Sequence, residues 1–301
     1  MVVLPTADQK SGACKATFLL LVLAAERKNM NSFMSWVGGK KNLRDEVLAR
    51  FPPYYERYIE VFGGAGWVLF HKPPGMDFEV YNDFNSNLAN LYRCVRDKPA
   101  KLKYKLRYVL DSREDFEYLA LLHKRGILPR LYDVDRAAKF YQLIRYSYAS
   151  SLESFGSQPH SMWSDFPMID LAARRLQKVV IENKDFEKLI RQYDRPVSFF
   201  YCDPPYFATE NYYKDVGFTA KDHIRLRDTL LEIKGKFLVS YNDCPEIREI
   251  WDKPNIHIEE ISRLNNLAQR YDAGCQYGEL LISNYDTSER AKAIKQLSLF
   301  D

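Results

Sequence analysis

The sequence predicts an α/β fold built on a sheet of about seven strands. From residue 35 onward, short β-like apolar runs alternate with helical patterns, which is typical of a sheet covered by helices. The chain has 301 residues, of which 46% are hydrophobic and 28% charged, so it can bury a large core. The predicted strands are residues 58–62, 78–81, 179–181, 197–201, 237–240, 256–258 and 278–283.

Most of the predicted strands are short runs rich in β-branched or aromatic residues. Runs of this length and composition favour strands over helices. Two of these strands are followed by residues that favour turns. Glycines stand at positions 63, 64 and 66 after the first strand, and prolines stand at positions 204 and 205 after the fourth.

A long stretch, residues 85–178, separates the second predicted strand from the third. Its pattern is helical and basic, and a structureless loop of this length would be unusual in a compact domain. We therefore expect residues 93–165 to form an inserted, mainly helical subdomain, and residues 30–92 and 166–301 to form the main domain. Residues 1–29 are expected to be an extension without a function of their own, although a secretory signal is the alternative.

Composition excludes several classes of protein. The formal net charge is only +4, so any binding of phosphate groups must come from local basic patches. The longest apolar run, residues 18–25, is too short to cross a membrane. The cysteines are odd in number and widely spaced, which argues against disulfides and structural zinc and predicts a cytoplasmic protein; they are Cys14, Cys94, Cys202, Cys244 and Cys275.

A glycine turn after the first strand indicates a cofactor site. Residues 62–66 read Phe-Gly-Gly-Ala-Gly, and Asp83 follows the next strand, where a carboxylate could accept hydrogen bonds from a ribose. The alternative is a tight turn with a solvated aspartate. The G-x-G-x-x-G pattern of dinucleotide sites is missing, and residues 38–40 lack the upstream glycine of a phosphate-binding loop.

The Asp203-Pro204-Pro205-Tyr206 turn after the fourth strand predicts a site for a planar amine. Two prolines fix an extended backbone, so a carboxylate, a carbonyl group and an aromatic face are held in one arrangement. The Asp203 carboxylate and the Pro204 carbonyl oxygen could accept the two amine hydrogens while Tyr206 stacks on the ring. The alternative is a purely structural turn.

Four motifs in this order resemble the Dam-like family of S-adenosylmethionine-dependent DNA adenine-N6 methyltransferases. They are residues 36–40, 62–66, 81–85 and 203–206, and the resemblance extends over roughly residues 34–285. It implies a Rossmann-like methyltransferase sheet with an inserted, mainly helical DNA-recognition subdomain. The function implied is site-specific transfer of a methyl group to the N6 amine of a flipped-out adenine in duplex DNA, with S-adenosyl-L-methionine as cofactor and no metal. A monomer is the expected state.

The resemblance also assigns roles to individual residues. Those expected to bind the cofactor are Trp36, Lys40, Phe62, Gly64, Gly66, Asp83, Asp185, Phe186 and Asp203. The expected catalytic residues are Asp203, Pro204 and Tyr206. Lys40 is suited to the carboxylate of the cofactor, and Asp83 to its ribose.

Basic and aromatic residues of the insert are candidates for contacts with DNA. We expect phosphate contacts from Lys101, Lys103 and Lys105, and base-edge contacts from Arg125, Arg130, Arg145, Tyr146, Tyr148 and Ser150. The alternative is an ordinary solvated helix face. Residues 149–155 read Ala-Ser-Ser-Leu-Glu-Ser-Phe, where members of the family that read GATC resemble Asn-Gly-Leu-Cys-Arg-Tyr-Asn, so recognition of GATC is not implied.

Other functions stay open at this point. A cytosine-N4 methyltransferase would use the same chemistry, and methyltransferases that act on RNA or on protein amides can also carry a Pro-Pro-Tyr turn. A catalytically silent DNA-binding relative is a further alternative, whereas the missing glycine argues against a nicotinamide-dependent dehydrogenase. The biological purpose could be restriction-modification, phage defence or regulation.

Overall fold

The computed structural model describes residues 30–156, 158–207, 217–264 and 276–290. The extension predicted for residues 1–29 lies outside the described residues. All seven predicted strands form one sheet; their ends lie within two residues of those expected, except that the strand predicted at 256–258 continues to Leu264. The strands are β1 (Arg57–Glu60), β2 (Phe78–Asn82), β3 (Val179–Glu182), β4 (Ser198–Cys202), β5 (Lys236–Asn242), β6 (His257–Leu264) and β7 (Gln276–Ser283).

The strand order places the carboxyl ends of the central strands together. The order is β3-β2-β1-β4-β5-β7-β6, with β1 to β5 parallel and β7 antiparallel to both of its neighbours. The order of the chain reverses between β1 and β4, and ligands of open α/β sheets bind outside the carboxyl ends of the strands at such a point. Glu60 lies opposite both Tyr81 of β2 and Tyr201 of β4, so the three strands end at the same edge.

Ten α-helices lie within the described residues. The two that precede β2 are α1 (Arg44–Ala49) and α2 (Trp67–His71). As predicted, the stretch between β2 and β3 is helical; it holds α3 (Ser86–Asp97), α4 (Pro99–Leu106), α5 (Arg113–Lys124), α6 (Asp133–Tyr146) and α7 (Phe166–Leu176). The remaining helices are α8 (Phe186–Tyr193), α9 (Ala220–Leu231) and α10 (Pro245–Trp251). None of these helices is long and apolar enough to cross a membrane.

Side chains alternate between the two faces of the sheet and form two hydrophobic cores. Ile59, Val80 and Phe200 belong to the core on one face. Tyr58 and Tyr81 belong to the core on the other face, which continues without a break into the helices between β2 and β3. For example, the ring of Tyr81 in β2 stacks on the ring of Tyr92 in α3, with centroids 3.9 Å apart. The helical insert therefore shares a core with the sheet.

Candidate active site

A cavity of about 320 Å³ opens at the carboxyl edge of β1, β2 and β4. This volume lies in the range of small-molecule sites. Its lining brings together residues from segments that are far apart in the sequence. All nine residues predicted to bind a cofactor line it: Trp36, Lys40, Phe62, Gly64, Gly66, Asp83, Asp185, Phe186 and Asp203.

The glycine turn forms one wall of the cavity. Gly64 and Gly66 have φ angles of 50° and 64°, a region that residues with a side chain rarely adopt. A Cβ atom on Gly64 would lie 3.1 Å from Cδ1 of Trp36, so the missing side chain lets the indole ring approach the turn. Tyr81 donates its hydroxyl hydrogen to the carbonyl oxygen of Gly64 at 2.7 Å, which ties the turn to β2.

Asp83 connects the glycine turn to the end of β2. Its carboxylate accepts a hydrogen bond from the Gly64 backbone N–H at 2.9 Å and another from the Asn85 backbone N–H at 2.7 Å. Burial raises the pKa of Asp83 to about 6, although both backbone donors oppose the shift. The carboxylate thus lines the cavity in a fixed orientation.

Three phenylalanines form an apolar wall at the other end of the cavity. The ring of Phe62 lies 5.7 Å from that of Phe186 and 5.9 Å from that of Phe218. Arg225 covers the outer side, with its guanidinium carbon 4.0 Å from the ring centroid of Phe186. Such a wall suits the flat face of a nucleobase.

The Asp185 carboxylate is engaged by protein groups. It caps the N-terminus of α8 by accepting hydrogen bonds from the backbone N–H groups of Glu187 and Lys188. It also forms a 2.9 Å ion pair with Arg225. Neither Phe218 nor Arg225 was predicted as a site residue. Arg225 is about 40 positions away from its partner Asp185 in the sequence, so no local sequence pattern could identify it.

Asp203 lies beside the cavity in a network of charged and polar groups. Lys40 Nζ is 2.6 Å from Asp203 Oδ1, and Ser240 Oγ donates to the same oxygen at 3.0 Å. The Lys40 side chain is 4% exposed and that of Asp203 is 18% exposed. Burial raises the pKa of Asp203 above its usual value, while the ammonium group of Lys40 opposes the shift.

The remaining residues of the Pro-Pro turn complete this pocket. Pro204 and Pro205 are buried, and Pro205 lines the cavity. The Tyr206 ring lies against Lys40, whose Nζ is 4.4 Å from the ring centroid. The three predicted catalytic residues therefore adjoin the predicted cofactor residues. The described part of the chain contains no group of three or more His, Cys, Asp or Glu residues that could hold a metal ion.

Glu60 was not predicted as a site residue, yet it lines the cavity. Its side chain is buried and accepts a hydrogen bond from the Tyr58 hydroxyl at 2.6 Å. Burial raises the pKa of Glu60 to about 8. The signal that could have found it is a single acidic residue within the apolar run 58–62.

Stability is expected to fall as the pH rises from about 4.5 to about 8, because Glu60 ionises in the unfolded chain while it keeps its proton in the folded chain. An acid whose pKa is higher in the folded chain binds its proton more tightly there, so ionisation favours unfolding. The Glu60→Gln variant removes this cost and should gain roughly 3–5 kcal/mol relative to wild type across this range. Urea unfolding at several pH values measures the difference. A difference between the two proteins that does not change with pH would contradict this assignment.

The structure separates the nine predicted DNA-binding residues into two groups. Four side chains are exposed and form no ion pair with a described residue: Lys101, Arg125, Arg130 and Tyr148. The others are engaged or buried. Lys103 pairs with Asp170 at 2.6 Å, Lys105 with Asp135 at 2.8 Å and Arg145 with Asp165 at 2.9 Å, while Tyr146 and Ser150 are buried. None of the nine lines the cavity.

The loop after α6 connects the insert to the site. Ser150 Oγ lies 2.7 Å from Oγ of Ser35, the residue that precedes Trp36. Three residues of this loop that carry side chains have positive φ angles: Ala149 at 50°, Ser150 at 58° and Leu152 at 63°. Such angles are uncommon outside glycine, so the surrounding contacts must hold this loop in shape.

The fold and the site together define a Rossmann-like methyltransferase. Residues 36–266 match the family model of D12 class N6 adenine-specific DNA methyltransferases, and the chain belongs to this family. Its activity is therefore the methylation of adenine in DNA, as predicted from the sequence.

Three relatives illustrate the similarity. The type II methyltransferase M1.LlaDCHI of Lactococcus lactis subsp. cremoris is 29% identical over 88% of this chain and 99% of that protein. The DNA adenine methylase of Escherichia coli K12 is 26% identical over 78% of this chain and 89% of that protein. The DNA adenine methylase of Salmonella typhi is 27% identical over the same shares.

Proposed function

We propose that the cavity binds S-adenosyl-L-methionine and that the enzyme methylates a flipped-out adenine at specific sites in duplex DNA. The observation that carries this proposal is the contact between Lys40 and Asp203 at 2.6 Å, which joins the cavity to the Asp-Pro-Pro-Tyr turn. A cofactor pocket and a pocket for a planar amine thereby share a boundary. Methyl transfer between two substrates needs this arrangement.

The residues around the cavity fit the parts of this cofactor. Asp83 is suited to accept hydrogen bonds from ribose hydroxyls, and the phenylalanine wall is suited to the adenine ring. Lys40 is suited to the carboxylate of the methionine part. The cofactor supplies a methyl group that is already activated by a sulfonium centre.

Asp203 and the Pro204 carbonyl would activate the amine of the target adenine. The lone pair of this amine is delocalised into the ring, which makes it a poor nucleophile. By accepting both N–H hydrogens, the two oxygens localise the lone pair and stabilise the positive charge that develops on nitrogen. Stacking on Tyr206 would offset part of the cost of moving the base out of the duplex.

The insert would bind the duplex through its exposed side chains. Lys101, Arg125 and Arg130 form no ion pair with a described residue, so they are available for phosphate contacts.

We also propose that the enzyme acts as a monomer in the cytoplasm. The described cysteines Cys94, Cys202 and Cys244 are free thiols, which supports a reducing compartment.

Neutralising the exposed basic residues should weaken DNA binding more than neutralising the paired ones. The triple variant Lys101→Gln, Arg125→Gln, Arg130→Gln should reduce the slope of log affinity against log salt by up to about 3, since each lost phosphate contact contributes about 0.9. Lys105→Gln, in a residue paired with Asp135, is the matched control and should change the slope less per residue. Binding isotherms at four salt concentrations test this. An unchanged slope in the triple variant would remove these residues from the interface.

The direct test of the function is methylation of random-sequence duplex DNA with methyl-labelled S-adenosylmethionine. We expect N6-methyladenine as the modified nucleoside, and mapping should place it within one short motif. Labelled N4-methylcytosine, or label transferred to RNA or protein in preference to DNA, would contradict the proposal. Mapping also reports whether the motif is GATC.

A further inference from the structure

A buried carboxylate, Glu279, lies next to Tyr206 and Lys40. Tyr206 donates its hydroxyl hydrogen to Glu279 Oε2 at 2.6 Å. Lys40 Nζ lies 4.0 Å from the same oxygen, and the Glu279 side chain is only 1% exposed. Glu279 is not among the residues that line the cavity. It therefore touches two groups of the site without lining the cavity proposed for the cofactor.

We propose that Glu279 is a positioning residue for methyl transfer, which fixes the Tyr206 ring and the Lys40 ammonium group next to Asp203. The proposal rests on the roles proposed above for Asp203 and Tyr206. It adds a residue of the last strand, far from the Pro-Pro turn in sequence, to the machinery of the reaction.

The fold holds Glu279 in place. Glu279 lies opposite Asn242 in the pairing of β5 with β7. Because β7 is antiparallel, its first half reaches the edge at which the parallel strands end. The Asp243 backbone N–H donates to the Gly278 carbonyl oxygen at 3.0 Å, and residues 280–282 are fully buried. The carboxylate is thus anchored by a rigid element.

The Tyr206 ring needs an anchor because its orientation decides whether a base can stack on it. The preceding prolines restrict the backbone, but they leave the side-chain torsions of Tyr206 free. A hydrogen bond to an ionised carboxylate is stronger than one to a neutral acceptor. The bond to Glu279 therefore selects one ring orientation.

Glu279 also acts on Lys40. The Lys40 ammonium group is shared between Asp203 at 2.6 Å and Glu279 at 4.0 Å. Without the charge of Glu279, Lys40 would pair with Asp203 alone. It would then bind more tightly to the Asp203 carboxylate oxygen, which should accept a hydrogen bond from the target amine. Both effects predict slower transfer when this charge is removed.

The test is a double-mutant cycle of Glu279→Gln and Tyr206→Phe, measured as turnover at saturating cofactor and mapped DNA substrate. Each single change should lower turnover about 10- to 100-fold, since each removes a charge-assisted hydrogen bond. The double variant should be no more than about threefold slower than the worse single variant, because the bond is already lost. Binding of S-adenosylhomocysteine, measured by calorimetry, should change less than about fivefold, since Glu279 lies outside the cavity lining.

Three controls separate the outcomes. Glu260→Gln, in an exposed carboxylate on the neighbouring strand, should behave as wild type. Thermal unfolding of Glu279→Gln shows whether the variant is folded, and Tyr206→Phe still tests the hydroxyl group if it is not. Wild-type turnover in folded Glu279→Gln, or losses that multiply in the double variant, would overturn the role of Glu279. Full activity of Asp203→Ala would instead overturn the proposed function beneath it.

Discussion

Replacing Asp203 with alanine is expected to lower the rate of methyl transfer by at least about 1,000-fold while leaving DNA binding within about threefold of wild type. The change removes the carboxylate that would accept the target amine. It also leaves Lys40 without its 2.6 Å partner, so the pocket would become positively charged where positive charge must develop. Single-turnover transfer of a labelled methyl group measures the rate, and gel-shift titration measures the binding.

Two comparisons make this result specific. Asp203→Asn keeps one acceptor oxygen without the charge, so we expect it to retain more activity than Asp203→Ala. Asp228→Ala removes an exposed surface carboxylate and should be fully active. If Asp203→Ala lost DNA binding together with activity, the carboxylate would have a role in folding or in the DNA interface.

Replacing Lys40 with methionine is expected to weaken cofactor binding by about 100-fold. Methionine keeps much of the apolar stem but removes the ammonium group, which is 4% exposed and lies between the Asp203 and Glu279 carboxylates. The cofactor carboxylate would then lie beside the Asp203 carboxylate without a cation between them. Calorimetric titration with S-adenosylhomocysteine measures the loss.

The neighbouring lysine provides a matched control for this experiment. Lys41 is exposed, its ammonium group lies 5.7 Å from the centroid of the Trp67 ring, and it forms no ion pair with a described residue. Lys41→Met should bind the cofactor as wild type does. Equal losses in both variants would indicate that general positive charge, rather than the buried position of Lys40, governs affinity.

The strands and the cofactor cavity could be predicted because local patterns encode them. In β4, for example, all five residues are buried, and two prolines end the apolar run at the place where the pocket begins. The glycine turn and Asp83 are similarly close in sequence to the strands that carry them. Parallel strands then bring these ends together at one edge of the sheet.

Residues whose roles depend on tertiary pairing could not be predicted in this way. Glu279 reaches Tyr206 only because β7 is antiparallel, and Arg225 reaches Asp185 across α8 and α9. The lysines of the insert also could not be assigned correctly from local sequence patterns. Lys103 and Lys105 look like free cations in the sequence, but packing of α4 against α6 and α7 gives each of them a carboxylate partner.

The unbroken core between the sheet and the helical insert bears on fidelity. The helices between β2 and β3 share one buried core with the catalytic strands, so we expect them to move together with the sheet. We expect this enzyme to keep the same shape on correct and incorrect duplexes instead of closing around the correct one. Discrimination would then depend on how well the DNA fits this fixed surface, because the adenine of a poorly fitting site would not reach Asp203.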